Sequence, residues 1–294
     1  DLEFYRLLGF NESQPASQSG GGEFAAAHGF DEPIEFEGCD ISFGEGEDKE
    51  NADKILQFLT PICKAFMTDM GLETTSIGVQ VFGGHGFIRE WGMEQLMRDV
   101  RIAMLYEGTT GIQSLDLLAR KVPQNDLAGY TACLLAIGAA IEDARAYPEL
   151  EEAAGQLAGS VETLKRVTEF LLGAMVEQDI DLALANSVKY LDMFGHVVIA
   201  WMWLKQATVA AAGLAGEPHE ADANFYRGKV QAMHYFFRYE LPETEVWAAL
   251  LMRLDDSPGL DDLACPYTAP PAHTDYLMNV RTLTAASATV ASSR

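Results

Sequence analysis

A chain of 294 residues with 48% apolar and 22% charged content has the make-up of a soluble globular protein able to bury one sizeable core or two modest ones. Its 44 acidic residues against 20 basic ones leave a formal net charge of -24, which repels nucleic acid and anionic lipid surfaces and reads as a solvated acidic surface, with a saline habitat also fitting. Cys39, Cys63, Cys133 and Cys265 form no C-x-x-C pair and no histidine joins them at ligand spacing, so reduced thiols are expected and neither a structural zinc nor another metal site is.

Residues 1 to about 50 carry the triplet Gly20 to Gly22 and an acidic excess without a sustained period, so an irregular segment is expected, with one short helix at Leu2 to Leu8. From Lys54 the spacing turns helical, with Ile55, Leu59, Ile62, Ala65 and Phe66 recurring at three and four residues up to a stop at Gly71. A second run, Ile77 to Phe82, ends at Gly83-Gly84. A third helix is expected from Gly92 or Met93 to about Tyr106, with Leu96, Val100, Ala103 and Met104 on one face. Thr109 or Thr110 can then cap a fourth that runs to Lys121, before Pro123.

Beyond Pro123 the pattern predicts long helices over about 126–146, 149–178, 180–213, 221–240 and 243–253. In the third of these Leu184, Val188, Leu191, Phe194, Val198, Trp201 and Lys205 follow one stripe, which suggests burial between other helices. No alternating strand stands out, so the fold class is all-α, a helical bundle followed by a second helical domain. The divisions fall at 1–50, 51–123, 124–255 and a Pro-, Ala- and Ser-rich tail over 256–294, expected to be extended or disordered. No apolar run exceeds the eight residues from Val197 to Leu204, against roughly 20 for a membrane span, and Asp1 to Arg6 lack a signal-peptide pattern. No membrane association is expected, and the expected location is cytoplasmic. An initiating Met is absent, so a preceding segment is expected to be missing.

Three clusters carry candidate chemistry. Gln80-Val81-Phe82-Gly83-Gly84-His85-Gly86-Phe87 holds three glycines in four positions, a pattern that a plain connector between helices also produces and that lacks the strand and spacing of a dinucleotide fingerprint. Glu94-Gln95-Leu96-Met97-Arg98-Asp99 follows. Tyr106-Glu107-Gly108-Thr109-Thr110-Gly111-Ile112-Gln113 then places a carboxylate at the end of one helix and paired hydroxyls at the start of the next.

In this order the three runs resemble the C-terminal helical domain of the acyl-CoA dehydrogenase family. Gly83 to Gln95, with Tyr190 to Gly195, Phe225 to Lys229 and Leu241 to Thr244, is similar to the branch of larger members that includes 3-methylmercaptopropionyl-CoA dehydrogenases and continues into an extra helical domain. The likeness spans about residues 54–255. It implies flavin-dependent α,β-dehydrogenation of an acyl-CoA thioester, with Glu107 as the base for the α-proton. It also implies that Gln80, Val81, Phe82, Gly83 and Gly84 contact FAD, usually that of a neighbouring subunit. Thr109, Thr110 and Gly111 would contact FAD after the base, Gly108 would touch substrate, and Gln113 is a weaker FAD candidate.

An electron-transfer flavoprotein as acceptor and a homo-oligomer of two or four subunits are implied too. The N-terminal helical domain and middle β-domain of the family have no counterpart in the sequence, so a fragment of a longer dehydrogenase is favoured over one half of a split enzyme. A non-catalytic helical scaffold of the same family is the alternative. His85 reads as solvent-facing or near a phosphate, Arg98 and Asp99 as structural hydrogen-bonding residues, and Arg227 with Lys229 as surface charges. Trp201, Trp203, Tyr235, Phe236 and Phe237 read as core packing.

Overall fold

The computed structural model describes residues 47–177, 180–216 and 218–255. The irregular segment up to residue 46, the helix at Leu2 to Leu8, Cys39, Cys265 and the tail over 256–294 lie outside the described residues. By its internal contacts the chain divides into a unit of residues 1–52, of which the start of the first helix is described, and a unit of residues 53–294. Among the described residues every regular element is helical.

Helix α1 (Glu47–Phe82) starts earlier than the expected Lys54 and runs unbroken for 36 residues through the expected stop at Gly71. The stop fails because Gly71 serves packing. A Cβ there would lie 3.2 Å from Val100 Cγ2, and one at Gly78 would lie 2.5 Å from Met93 Cε. Two glycines seven positions apart share one helix face, so α2 (Met93–Arg101) lies along α1 and runs antiparallel to it. The hydroxyl of Thr75 donates back to the Gly71 and Leu72 carbonyls, so it is satisfied within the helix. Two 3-10 turns, Gly83–Phe87 and Arg89–Trp91, connect α1 to α2.

The helix expected to reach Tyr106 ends at Arg101 and gives way to a 3-10 turn, Ile102–Met104. Helix α3 (Thr110–Leu115) continues into a π-turn, Asp116–Lys121, followed by α4 (Gln124–Ala144), whose first turn, Asn125 to Leu127, is left-handed. Then come α5 (Glu151–Glu177), α6 (Ile180–Leu184), α7 (Ser187–Ala215), α8 (Glu220–Tyr235) with a π-turn at Phe236–Glu240, and α9 (Glu243–Leu251). The single helix expected over 180–213 is thus broken by a turn at Ala185 and Asn186.

Helix α7 is apolar on all sides and packs against α3, α4, α5, α8 and α9. Its core joins the helices before and after Pro123. Phe58 of α1 lies edge-on to Tyr130 of α4 and Phe194 of α7, with ring centroids 6.1 and 5.2 Å apart. Helices α4 and α7 are long and apolar enough to cross a membrane by length and composition, which the short-run reading of the sequence did not anticipate; half of the α7 window is buried within the protein, as in a core helix. Tyr235 departs from the expected core: it is 56% exposed and stacks on Tyr239, with centroids 4.9 Å apart, because two residues beyond the buried Met233 it stands on the far side of the helix. Trp201 and Phe237 are buried as expected, and Trp203 and Phe236 are half-buried.

Candidate functional site

The first half of α1 is core, with Phe58, Leu59, Ile62, Ala65 and Phe66 buried; the second half carries the glycine cluster into solvent. Gln80, Val81, Phe82, Gly83 and Gly84 are all exposed. Gly83 has φ +60, a conformation that glycine adopts without steric cost, and a Cβ at Gly83 or Gly84 would meet nothing within 4 Å. Gly86 differs. It is buried, and a Cβ there would lie 2.4 Å from the Val79 carbonyl oxygen, so the chain can fold back on α1 only with glycine at this position. His85 is exposed with its ring edge-on to Trp91 at 5.2 Å. Arg98 ion-pairs with Glu94 at 2.7 Å on the surface of α2, in agreement with a structural role.

Glu107 stands in the loop between the Ile102–Met104 turn and α3, exposed, with φ 56. A side-chain-bearing residue in this left-handed region costs about 1–2 kcal/mol, and Gly108 follows at φ +90. Three side chains hold the loop against that cost. The Lys64 ammonium donates to the Gly108 carbonyl, the Gln113 amide donates to the Glu107 carbonyl at 2.8 Å, and the Thr110 hydroxyl donates to Asp69 at 3.1 Å. A hydrogen bond to a charged group contributes about 1.5–3 kcal/mol, so the Lys64 bond alone is of the right size to offset the strain. Among the described residues no side chain pairs with the Glu107 carboxylate, and it projects free of the loop's own bonds.

Asp69 is half-buried, and burial pushes its carboxyl above the ordinary aspartate value; the Thr110 hydrogen bond opposes this, Asp192 adds to it, and Lys64 and Arg101 oppose it. Thr109 occupies the N-cap position of α3 by its backbone, yet its side chain makes no capping bond. Because the Thr110 hydroxyl proton is taken by Asp69, Thr110 can offer a ligand its oxygen lone pairs and main-chain N–H only.

The two clusters are not adjacent. Eleven residues of α1 separate Asp69, which touches the Glu107 loop, from Gln80, so they sit about 16 Å apart along the helix axis. Around the glycine cluster, large apolar side chains remain in solvent: Val81 is 78% and Phe87 80% exposed, with Ile77 and Trp91 each more than half exposed, and beside Glu107 Leu105 and Tyr106 are more than half exposed as well. An exposed apolar surface of this kind marks a contact region. Lys64 and Asp69 were missed in the sequence, where their only signal was an opposite-charge pair, i and i+5, beside a buried apolar run.

Residues 45–122 match the family model described as "Acyl-CoA dehydrogenase, C-terminal domain", and residues 133–258 match the one described as "Acetyl-CoA dehydrogenase C-terminal like". The chain belongs to the acyl-CoA dehydrogenase family. It corresponds to the C-terminal part of that family, and its all-helical fold agrees. A 3-methylmercaptopropionyl-CoA dehydrogenase of Ruegeria pomeroyi is 36% identical over 203 residues, covering 68% of this chain and 34% of the relative. A broad-specificity linear acyl-CoA dehydrogenase of Mycobacterium tuberculosis is 27% identical over 225 residues, covering 74% and 37%. A butyryl-CoA dehydrogenase of Syntrophomonas wolfei is 28% identical over 199 residues, covering 67% and 32%. The chain therefore spans about a third of the length of these curated relatives.

Proposed function

We propose that this chain carries the proton-abstracting base and part of the flavin- and thioester-contacting surface of an acyl-CoA dehydrogenase, and that it acts together with protein supplying the remaining two thirds of the family's length. The single observation that carries the reading is Glu107, a carboxylate presented from a strained loop whose Glu107 and Gly108 carbonyls and Thr110 hydroxyl are tied to α1 and α3. A scaffold alone has no use for that strain.

Glu107 takes the α-proton of the acyl thioester, and the C–H bonding pair moves into the new α,β double bond as hydride departs from the β-carbon, leaving a trans-2-enoyl thioester. When bound, FAD supplies the two-electron acceptor for that hydride. The main-chain N–H of Glu107 would support the charge that develops on the thioester oxygen. Gly108, next to the base in the chain, would border the thioester. Gln80, Val81, Phe82, Gly83 and Gly84 suit an FAD molecule because their amide and glycine backbone are open, and Thr109, Thr110 and Gly111 offer backbone N–H groups and lone pairs. The separation of the two clusters along α1 favours their serving different FAD molecules, and the exposed apolar surface around Val81 and Phe87 favours a homo-oligomer or contact with the missing domains. An electron-transfer flavoprotein would reoxidise the flavin.

The same apolar surface also favours the second reading, a helical docking subunit without catalysis. The test mixes the chain with FAD and a polypeptide carrying the N-terminal and middle domains, then follows flavin absorbance on adding acyl-CoA. Bleaching that is lost in Glu107→Gln supports the base; equally fast bleaching in that variant removes it and leaves docking.

A further inference from the structure

The geometry points to Lys64, Asp69 and Gln113 as positioning residues for Glu107: from α1 and α3 they clamp the Glu107–Thr110 loop and hold the carboxylate in its presented state. The inference rests on the reading of Glu107 as a base only for what the clamp serves; the clamp itself is a matter of three side-chain bonds. Two fall on successive carbonyls and the third on a side-chain hydroxyl two residues on. Gln113 takes the Glu107 carbonyl, Lys64 takes the Gly108 carbonyl, and Asp69 takes the Thr110 hydroxyl.

Lys64 and Asp69 stand five residues apart on α1, flanked by the buried Ala65 and Phe66, so their backbones are fixed by the core. Gly108 leaves the Gln113 amide just enough room: a Cβ at 108 would lie 3.0 Å from its Nε2. The loop is thus referenced to the core-packed half of the first helix, and the left-handed turn at Glu107 and Gly108 cannot relax without breaking a bond to α1 or α3. A base must be held within a fraction of an ångström of its proton, which an exposed loop without such bonds does not achieve.

Hydrogen exchange of the 294-residue chain, read over residues 105–115, tests this directly. Lys64→Met and Gln113→Leu should each speed exchange in that segment about tenfold, with α4, α5 and α7 unchanged, and Lys64→Arg should restore the parent rate. Unchanged exchange in Lys64→Met overturns the clamp. So does acceleration spread evenly over the bundle, or an arginine variant that behaves like the methionine one. In the FAD-loaded assembly, Lys64→Met should slow acyl-CoA-driven bleaching at least about tenfold at an unchanged half-saturating acyl-CoA concentration. If Glu107→Gln leaves bleaching intact, the base reading fails while the exchange result still judges the clamp.

Discussion

Lys64 and Gly108 are joined across 44 residues of sequence, the ammonium of one donating to the carbonyl of the other. That bond ties the middle of a 36-residue helix to the peptide immediately after Glu107. The core fixes α1 through Phe58, Ile62 and Phe66, and α1 fixes the loop. The orientation of one exposed carboxylate therefore derives from packing that surrounds none of it.

Glu107 sits at φ 56, and the carboxylate can be removed with or without relieving the backbone. Glu107→Ala keeps the left-handed cost, whereas Glu107→Gly removes it. The glycine variant is expected to be more stable than the alanine variant by about 1 kcal/mol in urea denaturation. Equal stabilities would mean that the loop does not hold position 107 in the left-handed region in solution.

Asp69 supplies a pH dependence whose sign follows from its raised pKa. Burial is the main cause, with Asp192 adding to it against Thr110, Lys64 and Arg101. The folded state binds the Asp69 proton more readily than the unfolded state does, so this group costs stability at neutral pH. The cost disappears as pH falls through the raised pKa and is gone below the ordinary aspartate value. Relative to Asp69→Asn, in which every other acid still titrates, the parent should gain stability between about pH 7 and about pH 4. A difference that stays constant or moves the other way in denaturation at the two pH values contradicts the assignment.

The helical class and the order of the three motifs were legible because each depends on residues near one another in sequence. What escaped depended on distant partners. Gly71 reads locally as a helix stop, but its role is to admit Val100. Asn186 looks like one more residue in a long helix, yet it is where the chain turns before α7, and its side-chain amide donates to the Asp255 carbonyl. Tyr235 belongs to an aromatic row that suggests core, and its phase relative to the buried Met233 decides which way the ring faces. Lys64 and Asp69 could not be placed at the site because their partners, Gly108 and Thr110, lie more than 40 positions away. The roles of Glu107 and Gln80 rest on resemblance to the family, since their chemistry needs protein beyond a third of the relatives' length.

Gly195 of α7 lies against the Phe66 ring of α1. A Cβ at this position would lie 2.4 Å from Phe66 Cδ2, with two more ring atoms at 2.9 and 3.0 Å. That ring is buried and edge-on to His196 at 5.1 Å, so it has no easy retreat. Overpacking costs about 1–3 kcal/mol, against about 1 kcal/mol gained from better helix propensity, so Gly195→Ala should destabilise. A Cβ at Gly155 of α5 would meet nothing within 4 Å, and Gly155→Ala should stabilise by about 0.5–1 kcal/mol. Thermal unfolding that moved both variants the same way would contradict this packing.

Ser114 and Ser187 link the two segments that match separate family models, their hydroxyl oxygens 3.0 Å apart in the interior. The direction of that bond can be deduced. Ser114 has one hydroxyl proton, and it goes to the Gly111 carbonyl at 2.8 Å, so Ser187 donates and Ser114 accepts. Ser187→Ala then removes a donor and leaves Ser114 bonded, at a cost of about 0.5–1.5 kcal/mol. Ser114→Ala strips the buried Ser187 proton of its acceptor and removes the Ser114 bond to the Gly111 carbonyl, which costs about 1–3 kcal/mol. The expected order, Ser114→Ala worse than Ser187→Ala, is checked by urea denaturation of the two single variants. The reverse order would mean that the Ser114 proton points to Ser187 and that Gly111, at the start of α3, is not held by this link to α7.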